Sequence, residues 1–340
     1  MKVTIKDVAR DAGVSIGTVS RVINGKDRVS KETKAKVEAS ISRLNFHPDE
    51  TARSMIFKQT KSIGLIVPLL SNEYWSTLAE HVQEAAWERG YTLLLCSAGY
   101  ELDKNLECFK TLVERKVDGI ISGSVIKDAE ALHKLYQTHL NRLPLVSLDY
   151  TLPTAHYNIS ADHFQASVQA VTYLIRLGHV RIAYLGSHRS DREAGYRFAL
   201  ESNGLTVDEA LIIRGEGTFA FGSQAAAGLL NRELPPTALF CWNDMTALGA
   251  MQSLQQAGLA IPADISVIGY DDIPMASLVN PALTSVRQPL KEIGRAAVQA
   301  LITEIEGQDQ ASTNRTSILA TEFIIRGSTG VNPGRTGHPS

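Results

Sequence analysis

The sequence predicts a two-part chain: a small all-α helix-turn-helix headpiece, then an α/β body of two doubly wound parallel-sheet lobes. Three observations carry this. The 340 residues are 44% apolar and 21% charged, the composition of a globular chain long enough for two or three compact units. Residues 1–60 hold 12 basic and 7 acidic side chains, a net of +5, whereas the other 280 hold 22 and 29, a net of −7. From residue 61 onward, short apolar runs alternate with amphipathic stretches, the pattern of repeated βα units. A cationic front on an anionic body is what a chain shows when only its first segment meets phosphate and gains from counterion release.

The headpiece elements follow in order. Thr4-Ile5-Lys6-Asp7 reads as a capping box opening a helix with Ile5, Val8, Ala9 and Ala12 on its apolar side, and Gly13 ends it. Ser15 then caps a second helix, Ile16 to Asn24, whose Val19, Val22 and Ile23 are spaced to pack on the first. Two short helices joined by a glycine turn form a helix-turn-helix, in which the first turn of the second helix enters the major groove. Ile16 and Gly17 then face base edges and Arg21 reaches a guanine with two hydrogen bonds. Ser15, Thr18 and Ser20 hold phosphates, and Thr4 and Asn24, at the outer ends of the helix pair, complete the candidate DNA contacts. Spacing alone leaves a helical hairpin that only docks on protein as an equal reading. Ser30 caps a third helix bearing Val37, Ile41 and Leu44, with Pro48 as its stop. Asp49 and Glu50 suit the start of a further helix of about two turns, too short to persist alone in water.

In the body, SIGLIV, YTLLLC, DGIIS and LVSL read as strands, separated by helices at about 74–89, 102–116 and 128–140. A second series takes YNIS, RIAYLG, LIIR, ALFCW and ISVIGY as strands, with helices at 164–177, 192–203, 222–231 and 246–257. Ligands of such sheets bind beyond the carboxyl ends of the strands. That places Asn72, Tyr74, Trp75, Asp149, His188, Arg189, Arg192, Asn243 and Asp271 at a candidate site, with Asp244 and Asp272 as helix caps or structural acceptors. Aromatic faces stack on sugar C–H surfaces while planar amides, carboxylates and guanidinium groups fix hydroxyls, so the inventory suits a carbohydrate. The cluster of His188, Arg189 and Arg192 leaves room for a sugar acid or phosphate.

The string TIKDVARDAGVSIGTVSRVINGKDRVSKETKAKVEASISRLNFHPDETAR, Thr4 to Arg53, strongly resembles the DNA-binding headpiece of the LacI/GalR family of bacterial transcription regulators, and the likeness continues more loosely to the end of the chain. The resemblance implies a body like the periplasmic sugar-binding proteins, with segments near 284–286 and 320–325 crossing between lobes. It implies that 48–60 is a hinge helix and linker in which Met55, where many members carry leucine, wedges between base pairs of the minor groove. It implies effector contacts from Arg192 of the RxxG motif, Asn243 of the ND pair and Asp271, first acid of GYDD, and an aromatic from the GTFAFGSQ segment, Phe219 or Phe221. The close in GVNPGRTGHPS without a leucine heptad implies a homodimer lacking the tetramerising helix of some members.

Other classes fit less well. Cys96, Cys108 and Cys241 form neither a disulfide framework nor a zinc pattern, and the early charges at Lys6, Asp7, Arg10 and Asp11 do not suit a secretory signal, so a cytoplasmic protein is expected. No stretch is apolar enough to span a membrane, and no metal or cofactor is called for. Gly215-Glu-Gly-Thr-Phe-Ala220 satisfies a dinucleotide pattern, but late in the fold rather than at the first βα turn, which makes a nucleotide-dependent enzyme the weaker alternative. A transport binding protein would not need the headpiece. The expectation is therefore a transcription regulator, and a repressor, of sugar or sugar-derivative genes. It binds roughly palindromic double-stranded operator DNA under control of a small effector, with a corepressor-dependent sensor of a non-sugar metabolite as the alternative. Its parts are a headpiece (1–47), hinge and linker (48–60), a two-lobed effector-binding and dimerisation domain (61–328) and a flexible tail (329–340).

Overall fold

The computed structural model describes residues 3–23, 29–46, 59–123, 134, 143–187, 190–307, 314–332 and 334. Asn24, Met55, His188, Arg189, the hinge segment at 47–58 and all but residue 134 of the expected 128–140 helix lie outside the described residues. The chain divides into two compact units, Met1–Ser62 and Ile63–Ser340.

In the first unit, α1 (Ile5–Asp11) opens at Thr4, whose backbone N–H and hydroxyl donate to the Asp7 carboxylate at 3.0 and 2.7 Å. Gly13 turns the chain at φ +66°, a conformation that glycine adopts without a Cβ clash. Ser15 Oγ then accepts from Thr18 N at 3.1 Å, capping α2 (Ile16–Ile23). Ser30 caps α3 (Lys31–Arg43) in the same way, at 3.2 Å from Thr33 N. Val8, Ala9, Val19, Val22, Val37 and Phe46 form the core, with Ile41 and Leu44 packed against it. Hydrogen bonds from Ser40 and Arg43 to Asp11 tie the end of α1 to α3 and hold the Asp11 carboxyl below its usual pKa. The third helix stops before Pro48. Asn45 sits at φ +46° and Phe46 N returns to Ile41 O at 3.0 Å, so a left-handed turn and the burial of Phe46 end it, not the proline.

The second unit contains two parallel sheets. β1 (Ser62–Val67), β2 (Thr92–Ser97), β3 (Ile120–Ser122), β4 (Leu145–Leu148) and β5 (Tyr157–Ala161) build the first. β6 (Ile182–Gly186), β7 (Ile212–Arg214), β8 (Ala238–Cys241) and β9 (Ser266–Ile268) build the second, in the order β7-β6-β8-β9. β10 (Ser285–Arg287) and β12 (Glu322–Ile324) pair antiparallel, Val286 opposite Phe323. Between them β11 (Arg315–Leu319) returns to the edge of the first sheet beside β5, giving the order β11-β5-β4-β3-β1-β2. β6 and β8 are buried along their whole length, as parallel strands covered on both faces must be.

The helices of this unit are α4 (Glu73–Glu88), α5 (Leu102–Glu114), α6 (His163–Arg176), α7 (Asp191–Ser202), α8 (Phe219–Leu230), α9 (Asp244–Gln256), α10 (Pro274–Leu278) and α11 (Leu290–Ile305). Three assignments differ from the sequence reading. YNIS belongs to the first sheet, not the second, and the chain changes lobe only after Ala161, because Ala166, Ala170, Val171 and Leu174 of α6 bury against Tyr184 and Phe240 of the second. The first lobe recruits α11 and β11 from the far end of the chain, with Ile293, Ala297 and Leu301 joining the core of Leu78 and Val82. Residues 329–332, within the expected tail, are held against the second lobe: Asn332 donates from its N and Nδ2 to the carbonyls of Leu177 and Gly178 at 3.0 and 2.9 Å, capping the end of α6.

Helices α8 and α9 meet backbone to backbone. A Cβ on Gly249 would lie 1.9 Å from the Phe219 carbonyl oxygen, and one on Gly222 2.0 Å from that of Thr246. Gly249→Ala is expected to force the pair apart and cost about 1–3 kcal/mol, read as a lower midpoint in urea. An unchanged midpoint would mean that these helices separate freely.

Candidate nucleic-acid interface and ligand cleft

The headpiece presents the face that its spacing predicts. Ile16 is 46% exposed, Ser15, Gly17 and Arg21 are exposed, and Val19 and Val22 are buried on the opposite side of α2. Thr18 and Ser20 are half-buried at the edge. Thr18 Oγ1 lies 2.9 Å from Ser15 Oγ, so both hydroxyls sit at the positive end of the helix dipole, where an anion is favoured. Thr4 is exposed but already donates to Asp7.

In the second unit, the carboxyl ends of the strands of both lobes surround a cleft of about 870 Å³. Of the sequence-derived candidates, Asn72, Tyr74, Trp75, Asp149, Arg192, Asn243 and Asp271 line it. Phe219 and Phe221 do not. Thr218 caps α8 three residues before the expected start, which places both phenylalanines in its first turn, packed against the apolar core. The aromatic faces come instead from Trp75, Tyr100, Tyr150 and Trp242. Sequence reasoning left Tyr100, Tyr150, His163 and Trp242 aside. Trp242 closes the ALFCW signal and Tyr150 lies two residues past LVSL, so the strand-end rule reaches both, whereas His163 and Tyr100 stand three and four residues past YNIS and YTLLLC and carry no comparable signal.

Arg192, at the start of α7, is 8% exposed and its guanidinium stacks 3.9 Å from the centre of the Tyr270 ring. It donates to the Trp242 carbonyl oxygen and pairs with Asp271 Oδ1 at 3.8 Å. Asp271, 7% exposed, also accepts from Gln288 Nε2 at 2.7 Å. Burial raises its pKa to about 7 even though Arg192 and Gln288 favour the anion. Asp149 receives the Tyr74 hydroxyl on Oδ2 at 2.7 Å. Burial opposes its charge as well, but His163, Tyr74 and Arg192 outweigh that and hold its pKa below the usual value. Its other oxygen, Oδ1, accepts no hydrogen bond among the described residues; His163 Nε2 stands 3.5 Å away. A buried carboxylate oxygen whose one nearby donor is as far as 3.5 Å has room for a ligand hydroxyl. Asp149 and Asp271 are both at positive φ, 62° and 106°, a strained setting for non-glycine residues that recurs at binding sites.

Asn243 caps α9, accepting from Thr246 N at 2.9 Å while its Nδ2 donates to the Gly217 carbonyl at 2.9 Å. Asn72 caps α4 through Tyr74 N at 3.0 Å. Asp244 and Asp272 are structural acceptors, as expected. Asp244 takes hydrogen bonds from Ser285 Oγ and Ile273 N at 2.6 and 2.8 Å, and Asp272 pairs with Arg287 and Arg326 at 2.7 and 2.6 Å. The glycines of the dinucleotide-like segment have a packing role. A Cβ on Gly215 would meet the Phe221 ring, and one on Gly217 would meet Trp242 and the Asn243 amide. Among the described residues no group of His, Cys, Asp or Glu is placed to hold a metal, and no helix is long and apolar enough to cross a membrane.

Comparison with known proteins agrees with this two-part reading. The pattern defining bacterial regulatory proteins of the lacI family matches residues 4–49, and that of a periplasmic binding protein-like domain matches residues 171–329. The chain is 34% identical over 335 residues to the HTH-type transcriptional regulator DegA of Bacillus subtilis (strain 168), covering 97% of this chain and 98% of that protein. It is 39% identical over 314 residues to the ribose operon repressor of Escherichia coli (strain K12), covering 89% and 93%. The crystal structure of the Lac repressor dimer bound to operator and the anti-inducer ONPF matches with a TM-score of 0.86 at 30% identity, covering 97% of this chain and 100% of that one. A headpiece and a ligand-binding body joined in one chain, matched along nearly their whole length, place this protein in the lacI family of DNA-binding transcription regulators.

Proposed function

We propose that the protein is a cytoplasmic homodimer whose two headpieces grip a roughly palindromic operator, and whose cleft binds a small polyhydroxylated effector that sets operator affinity. One headpiece of this size makes too few contacts for operator-level affinity, and two half-sites about a helical turn apart supply them. The observation that carries the effector reading is the cleft itself, in which the buried Asp149, Asp271 and Arg192 stand among the faces of Trp75 and Trp242, with Asp149 Oδ1 approached no closer than 3.5 Å, by His163 Nε2. A sugar satisfies that arrangement with a hydroxyl for the carboxylate and C–H faces for the indoles. A ligand that prefers one arrangement of the lobes shifts the population toward it. A ligand that favours the DNA-competent form acts as a corepressor, and one that favours the other form acts as an inducer. Operator titrations with and without ligand read the sign.

The test is a thermal-shift panel of D-ribose and other neutral sugars, sugar acids, sugar phosphates and purines. A ligand at a hundred times its Kd adds about 2.7 kcal/mol, a clear rise in melting temperature. Neutral sugars are expected to give it, and a rise confined to purines or phosphates would refute the carbohydrate reading. For the headpiece, Arg21→Ala is expected to weaken binding to the selected operator by about 1–3 kcal/mol and to relax the preference at one guanine position. A uniform loss at every position, seen in a binding series on mutated sites, would instead mark Arg21 as a phosphate contact.

A further inference from the structure

The chain passes between the lobes three times: after Ala161 into α6, from Arg287 into α11, and from Leu319 into β12. Gln288 lies in the second passage and is 3% exposed. Its side-chain amide spends one end on each lobe. Nε2 donates to Asp271 Oδ1 of the second lobe at 2.7 Å, and Oε1 lies 3.4 Å from the Tyr74 hydroxyl of the first, which is shared with Asp149 Oδ2. Asp149, Tyr74, Gln288, Asp271 and Arg192 thus form one polar chain that begins in one lobe, ends in the other and has a residue of the connecting segment at its centre. His163, at the first passage, makes a parallel bridge, its Nδ1 2.9 Å from the Tyr270 hydroxyl and its Nε2 3.5 Å from Asp149.

We infer that Gln288 is a positioning residue that transmits occupancy of the cleft to the segments joining the lobes. Gln288 does not line the cleft, but four residues of its polar chain do. A ligand that donates to Asp149 or engages Asp271 redirects the groups on either side of the amide, and the amide is fixed to the backbone that must bend when the lobes move. Buried polar chains of this kind act as a unit, so a break at the centre is felt at both ends. This rests on the regulator reading given above.

The test uses the full-length protein, an operator obtained by selection from random duplexes, and D-ribose as the probe. Gln288→Met keeps the length of the side chain and removes its donor and acceptor. The expected result is a D-ribose Kd within about fivefold of wild type, a ligand-free operator affinity changed by at least about fivefold, and a ratio of operator affinities with and without D-ribose that falls toward one. Tyr74→Phe, which cuts the same chain on its other side, is expected to shift ligand-free operator affinity in the same direction, and the double variant to add little more. A side chain that only stabilises the fold would lower the melting temperature and leave the ratio intact. Unchanged ligand-free operator affinity in Gln288→Met overturns the inference. Failure of D-ribose to bind wild type counts against ribose as the ligand and leaves that operator measurement to decide the role of Gln288.

Discussion

A protein shortened by residues 1–60 loses specific operator binding and keeps its ligand. The headpiece core of Val8, Ala9, Val19, Val22, Val37 and Phe46 shares no residue with the cores of the body, so its removal leaves the body's packing intact. The deletion takes away a net charge of +5 and leaves −7, which turns the remaining surface against a polyanion. It also removes Ile16, Gly17 and Arg21, the exposed side of α2. Specific binding normally exceeds nonspecific binding by about 10³–10⁷, so the expected loss is at least a thousandfold in a mobility-shift or anisotropy titration at fixed salt. Calorimetry with the cleft ligand should return the affinity of the full chain. Operator affinity within tenfold of the full chain would place the DNA site elsewhere.

Arg192→Met has the largest expected effect on the cleft. The side chain is buried, stacked on Tyr270, hydrogen-bonded to the Trp242 carbonyl and paired with Asp271. Its removal takes a cationic donor out of the cleft wall and leaves Asp271 to take up a proton, so ligand affinity should fall by about a hundredfold and operator binding should cease to respond. The pH dependence identifies the cause. The Asp271 pKa is raised by burial to about 7, so the folded state holds its proton where the unfolded chain has released it. Stability from this group is therefore greatest below the unfolded value near 4, declines up to about pH 7 and is level above. Without Arg192 the folded pKa rises further, and the decline continues beyond pH 7. Urea unfolding at pH 5, 7 and 9 reads this. Parallel pH curves for the two proteins would show that Asp271 does not depend on Arg192. Asp271→Asn is expected to flatten the slope in the wild-type background.

Local signals in the sequence were sufficient for the elements with local causes. Ser15 and Ser30 start helices because their side chains accept from the first turn, and that chemistry can be read from residue type and spacing; Asn72, read only as a strand-end residue, caps its helix in the same way. The apolar runs marked the strands, and the strand-end rule placed seven effector candidates around one cleft. Assignment to sheets was not legible. YNIS has the same periodicity whichever sheet it joins, and it pairs with β4 and β11 because residues more than 150 positions later, Arg315–Leu319, complete the edge. Helix α11 carries an amphipathic pattern that the tandem-lobe reading passed over, since it returns to pack on α4. Phe219 and Phe221 were candidates only through the family resemblance of the GTFAFGSQ segment; Thr218 caps the helix there, and both rings pack against the core, the alternative that burial statistics favour for phenylalanine. Gln288 carries no sequence signal at all, because its role comes from Tyr74, more than 200 residues away, and from Asp271.

The most direct measurement is selection of random duplex DNA by the purified full-length protein, run alone and with each candidate metabolite. Enrichment of one two-fold-symmetric sequence is expected, with retention that changes when a cleft ligand is added and is insensitive to that ligand in Arg192→Met. No enrichment under any condition, or an enriched site whose affinity every ligand leaves unchanged, would contradict the coupling of headpiece and cleft.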